Sequence, residues 1–127
     1  MPRILLAEDD GAVRLFVSRA LELQGHEVTA VVDGGEALVA LNGGDFDLLL
    51  TDIVMPVMDG IELALKVAKI RPDLPVIMMS GYAAERQRAH NLDSLVHEVV
   101  AKPFTLKEIA GVVRDALAAR PRSKPQP

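Results

Sequence analysis

A chain of 127 residues, half of them apolar and carrying a net charge of −4, has the length of one domain and can bury roughly two-thirds of its unfolded surface without covalent staples. The absence of cysteine excludes disulfides, thiolate metal sites and cysteine nucleophiles, and suits a reducing compartment. The acidic balance and the 3% aromatic content argue against nucleic acid as a partner, no apolar run nears the roughly 20 residues of a membrane span, and Met1-Pro2-Arg3 has no signal-peptide layout, so a cytoplasmic protein that binds neither nucleic acid nor membrane is expected.

Ile4-Leu5-Leu6-Ala7 is an apolar run of strand length, and Glu8-Asp9-Asp10 follows at once, placing acids at a strand's end. From Val13 the apolar positions Val13, Phe16, Val17, Ala20 and Leu21 keep helical spacing until Gly25 stops them; Asp10 reads as the N-cap of this helix rather than as a ligand. Glu27-Val28-Thr29-Ala30-Val31 alternates polar with apolar, as a half-exposed edge strand does. Asp33 with Glu36 is a capping-box pattern for a short helix on Ala37, Leu38 and Leu41, ended by Asn42-Gly43-Gly44.

The next apolar run spans about Asp47 to Thr51 and ends in Asp52. Pro56 and Asp59-Gly60 then mark a loop folding over that acid. Asp59 with Glu62 repeats the capping pattern, and Asp59 reads as a cap. Ile61, Ala64, Leu65 and Ala68 carry a third helix toward Arg71-Pro72.

Val76-Ile77-Met78-Met79 is a further apolar run, ending in Ser80-Gly81. The helix expected over 83–93 has only a thin apolar stripe and should be the least stable element. A fifth strand over 96–101 leads into Lys102-Pro103. Thr105 with Glu108 opens a final helix built on Leu106, Ile109, Ala110, Val113 and Leu117, and residues 120–127 form a basic, proline-rich tail expected to be disordered.

Five strands alternating with five helices mean an α/β fold, a parallel sheet covered on both faces through right-handed crossovers. The C-terminal ends of such strands are where chemistry is done. Glu8, Asp9 and Asp52 would meet there, and two unit charges about 4 Å apart repel by roughly 4 kcal/mol at an effective dielectric of 20, so the trio needs a cation or raised pKa values. Oxygen-only ligation favours Mg²⁺, which keeps waters and takes a phosphate oxygen readily. Ser80 offers a hydroxyl and Lys102 an ammonium to a phosphoryl guest, and a carboxylate can serve as its acceptor. His26, His90 and His97 follow no metal-ligand spacing, and Met55, Met58, Met78 and Met79 read as loop and core packing.

The set Glu8-Asp9, Asp52 with Met55-Pro56 and Met58-Asp59-Gly60, Ser80-Gly81 and Lys102-Pro103-Phe104 resembles the receiver domain of bacterial two-component response regulators. The resemblance covers residues 3 to about 119 and implies a flavodoxin-like, CheY-like sheet of strand order 2-1-3-4-5 flanked by five helices, with residues 1–119 as the receiver. It implies that Asp52 is the phosphoacceptor, Asp9 a direct Mg²⁺ ligand, Glu8 a water-mediated one and the Val54 carbonyl a further ligand. Ser80 would be the switching hydroxyl, Lys102 the counter-charge, and Lys102–Pro103 a cis bond.

The donor would be a histidine kinase, a histidine phosphotransfer protein or a small phosphodonor. The chain would catalyse only its own phosphorylation and slow dephosphorylation. Residues 3–10 and 45–64 are also similar to stand-alone regulators of the CpdR type, which act as protease adaptors.

Two departures follow from the same resemblance. The position of the family's switch aromatic holds Val99, leaving Tyr82 as a stand-in. The positions that tune hydrolysis hold Val54 and Tyr82, which position an attacking water poorly and imply a long-lived phosphoryl group. The function expected is a phosphorylation-dependent switch that changes binding to an unidentified protein partner, with a phosphorelay carrier as the alternative. An aspartate phosphohydrolase or flavin protein is disfavoured, because no second acid follows Asp52 at short spacing and no hydroxyl-rich loop follows the first strand. No helix-turn-helix follows the last helix, so no transcriptional output is expected from this chain.

Overall fold

A computed structural model describes residues 1–90, 92 and 95–119, with the side chain of His90 excluded. The tail 120–127 and positions 91, 93 and 94 lie outside the described residues. In chain order the elements are β1 (Arg3–Ala7), α1 (Gly11–Leu23), β2 (Glu27–Val31), α2 (Gly34–Gly43), β3 (Leu48–Asp52), α3 (Gly60–Ile70), β4 (Val76–Ser80), α4 (Ala83–His90), β5 (Glu98–Ala101) and α5 (Leu106–Ala119). All neighbouring strands are parallel, in the order β2-β1-β3-β4-β5.

The central strands are apolar on both faces because both faces are covered. Leu5, Leu49, Val76 and Met78 pack with Ala37, Leu41, Leu63 and Val67 of α2 and α3. Their sequence neighbours Ile4, Leu6, Leu48, Leu50, Ile77 and Met79 point the other way, against Val17 and Leu21 of α1 and Ile109 and Val113 of α5. β2, at one edge, is half exposed as its alternation requires.

Local chemistry sets the helix ends. The Asp10 carboxylate accepts from the amides of Ala12 and Val13 at 2.9 and 3.2 Å, confirming it as the cap of α1. Gly25, at φ 90°, closes that helix with its amide on the Glu22 carbonyl and the His26 amide on Leu21, a geometry costly for any residue with a Cβ. Thr105 and Glu108 form a reciprocal capping box. At α2 Asp33 caps Glu36, but the Glu36 carboxylate returns to the Val32 amide instead of that of Asp33.

Two strand boundaries shift from the sequence reading. β3 begins at Leu48 because the Asp47 carboxylate accepts the Arg3 amide at 2.7 Å, and it runs through Asp52, which pairs with Met79. β5 begins at Glu98, where pairing with Ile77 starts. Within α4, Ala89 is the one fully buried residue among those described. The helix is tethered instead by polar contacts: Glu85 accepts the Gly81 amide at 2.9 Å, and Arg88 donates to Asp59 at 3.0 Å.

Candidate functional site

β1, β3, β4 and β5 deliver Glu8, Asp52, Ser80 and Lys102 to one end of the sheet, each at or just past the last strand residue. Glu8, Asp52 and Ser80 are buried while Asp9 is exposed. One carboxylate oxygen each from Glu8, Asp9 and Asp52 lies within 4.8 Å of the others. The convergence anticipated for the acids is therefore present.

Lys102 holds the two buried acids together. Its Nζ donates to Glu8 Oε1 at 3.0 Å and to Asp52 Oδ2 at 3.1 Å. The remaining oxygens are taken by backbone: Glu8 Oε2 accepts the Asp10 amide at 3.0 Å, and Asp52 Oδ1 accepts the Ile53 amide at 3.0 Å. Lys102 itself is fixed by its amide on the Ser80 carbonyl at 2.7 Å, and its bond to Pro103 is cis.

Burial shifts the titration of this group. Desolvation pushes Glu8 up to about 7, helped by the Asp52 charge and opposed by the Asp10 amide and Lys102. It raises Asp52 as well, against the pull of Lys102. Burial disfavours the Lys102 ammonium, but its bonds to Glu8 and Asp52 outweigh that and its pKa rises. Each direction follows from the cost of isolating a charge and the gain of pairing it.

Ser80 ends β4, one residue past the Met79 that pairs with Asp52. Its hydroxyl is buried with no hydrogen-bond partner among the described residues, and a buried unpaired hydroxyl is costly unless a ligand completes it. The donor set is three carboxylates, with no imidazole or thiolate in the cluster, which fits a hard cation such as Mg²⁺. Val54 sits in the β3–α3 loop with its side chain about half exposed (52%).

The loop after Asp52 is anchored by Met55, buried in the core. At its tip the Met58 amide donates to the Pro56 carbonyl at 2.7 Å, leaving Val57 between them at φ 70°. Asp59 caps α3 by accepting the Glu62 amide. Val99 is half-buried against the core, and Tyr82 is 73% exposed, so the aromatic ring lies out in solvent. His26 is half-buried and His97 exposed.

Gly60, part of the Met58-Asp59-Gly60 motif but read from the sequence only as a turn, packs against the Asp52 backbone. Arg14 donates from Nη1 to the carbonyls of Glu8 and Asp9 at 2.8 and 3.4 Å, and nothing in a helical arginine announces a backbone partner.

The model of the response regulator receiver domain matches residues 4–114. The chain is 43% identical over 119 residues to the response regulator receiver protein CpdR of Brucella abortus (strain 2308), covering 94% of this chain and 99% of that one. Among solved structures it is similar to a CheY-like receiver domain protein from Methanospirillum hungatei JF-1, with a TM-score of 0.88, 31% identity and coverage of 94% and 96%. It is also similar to the response regulator protein TrrA from Thermotoga maritima in complex with Mg²⁺ and BeF, with a TM-score of 0.84, 29% identity and coverage of 91% and 99%. Among the described residues no helix is long and apolar enough to cross a membrane.

Proposed function

The chain belongs to the response regulator receiver domain family, the phosphorylation-dependent switch of a two-component system, and on that premise we propose that Asp52 is its phosphoacceptor. The observation that carries this reading is the ammonium of Lys102 within 3.1 Å of the Asp52 carboxylate, with Ser80, whose buried hydroxyl has no partner among the described residues, at the end of the neighbouring strand β4.

An oxygen of Asp52 forms the new P–O bond while the P–N bond to a donor histidine breaks, the electron pair leaving on the imidazole nitrogen. Lys102 neutralises charge on the transferred group and Ser80 donates to one of its oxygens. Glu8, Asp9, Asp52 and the Val54 carbonyl would hold Mg²⁺, which when bound screens the acids from one another and from the incoming phosphoryl oxygens. The complex of TrrA with Mg²⁺ and BeF supports the same occupancy here.

The donor class is a histidine kinase or a histidine phosphotransfer protein, and the output is altered affinity for a protein partner. The reducing cytoplasm suits a chain without cysteine. Incubated with Mg²⁺ and acetyl phosphate or a phosphorylated kinase, the chain should take up one phosphoryl group and Asp52→Asn none. Equal labelling of the variant overturns the assignment, and reversible flow onto a phosphotransfer histidine would make the chain a relay carrier instead.

A further inference from the structure

The three acids of the site are aimed by different means. Glu8 and Asp52 are each fixed twice, by Lys102 and by a backbone amide. Asp9 is exposed, and among the described residues no hydrogen bond or ion pair reaches its carboxylate. Its direction is therefore inherited from the backbone of the β1–α1 connection.

The Glu8 carboxylate holds one amide of that connection, that of Asp10; its carbonyls are held by Arg14. Arg14, in the first turn of α1, donates from Nη1 to the Glu8 carbonyl at 2.8 Å and more weakly to the Asp9 carbonyl at 3.4 Å. The contact is closed on itself, since the Asp10 carboxylate caps the helix that carries Arg14 and the Arg14 amide donates to the Asp10 carbonyl at 2.9 Å. Loop and helix hold each other.

A guanidinium is otherwise badly placed beside a cation site, because like charges repel. Among the described residues Arg14 pairs with no carboxylate; its donors go to carbonyl oxygens. Its contribution is thus geometric. We propose that Arg14 is a positioning residue for the cation site, holding the Glu8 and Asp9 carbonyls so that the Asp9 carboxylate faces Glu8 and Asp52. The inference rests on the cation site proposed above.

Charge and geometry make opposite predictions for its removal. Without the positive charge Mg²⁺ should bind more tightly; without the grip it should bind more weakly, by about 10-fold if Arg14 behaves as groups behind metal ligands do. The experiment is an Mg²⁺ titration of the full chain followed by the backbone amide resonances of Asp9, Asp10 and Asp52, on wild type, Arg14→Met, Arg14→Lys, Asp9→Asn and the Asp9→Asn/Arg14→Met double variant. We expect the dissociation constant to rise about 10-fold in Arg14→Met. In Arg14→Lys, which keeps the charge but not the planar fork, it should also rise.

The double variant should be no weaker than Asp9→Asn, because Arg14 acts through Asp9. Unchanged or tighter binding by folded Arg14→Met overturns the proposal, as do additive effects in the double variant. If Arg14→Met does not fold, Arg14→Lys decides the question alone, unchanged affinity there being the overturning result. A wild-type chain that shows no response to Mg²⁺ removes the cation site itself and this inference with it, an outcome separable from all the others.

Discussion

Gly60 is packed so closely on Asp52 that a methyl group at position 60 would overlap the Asp52 carbonyl oxygen and press on the Ile53 Cα. The Gly60 amide donates to the Ile53 carbonyl at 2.7 Å, so the first residue of α3 is stitched to the strand end that carries Asp52, the proposed phosphoacceptor. Helix propensity alone would make alanine about 1 kcal/mol better than glycine in a helix. Gly60→Ala is instead expected to lower stability by about 1–3 kcal/mol, the range for overpacking, and to slow phosphorylation because Asp52 must shift. Thermal unfolding and acetyl phosphate labelling check both, and a stabilised, fully active variant would contradict the packing described.

The raised pKa of Glu8, near 7 against an ordinary 4.5, makes metal-free stability depend on pH. Between those values the folded chain retains a proton that the unfolded chain has released, so the stabilisation is complete below about pH 4.5 and is lost as pH rises through about 7. His26, whose pKa is lowered by burial and by the N-terminal charge, contributes with the opposite sign in a neighbouring window. The clean measurement is therefore the difference in Tm between wild type and Glu8→Gln in chelator, which should move in favour of the variant as pH rises from 4.5 to 8. Millimolar Mg²⁺ at pH 8 should raise the wild-type Tm by binding only the folded acid cluster; no shift would count against that cluster as a cation site.

Val57 is 83% exposed and sits at φ 70°, the left-handed region that costs a β-branched residue about 1–2 kcal/mol. It makes little apolar burial to offset this. Val57→Gly should therefore raise stability by about 1 kcal/mol, seen as about 4 °C in Tm. A drop in Tm would show that the turn is held by the valine side chain.

Phosphoryl lifetime should be long. Val54 presents an apolar, half-exposed side chain two residues past Asp52, and it has no group with which to orient an attacking water. Decay of the phosphorylated chain in Mg²⁺ is expected over minutes or longer, with Val54→Asn shortening it. Complete loss within seconds in the wild type would refute the expectation.

Most of this architecture could be read from the order of residues. Apolar runs each ending in a functional side chain, with caps at Asp10, Asp33, Asp59 and Thr105, gave the element order and the convergence of Glu8, Asp9, Asp52 and Lys102. The sheet order rested on family resemblance, since an apolar run does not name its neighbour. What stayed hidden depends on contacts across the chain. Gly60 matters through a carbonyl eight residues earlier and Arg14 through two backbone oxygens, and neither backbone atom leaves a trace in a pattern of side chains. The strand limits at Asp47 and Val96 moved for the same reason, since ladder partners, not apolarity, decide where pairing starts.

The groups assigned to the reaction leave the fold at strand termini, while the outer faces of the five helices carry none of them. Substitutions on those outer faces, away from Arg14 in α1 and Gly60 at the start of α3, can therefore accumulate without retuning the acidity or geometry of the centre. One chemical engine can in this way be fitted with many different exteriors, each answering to its own correspondent.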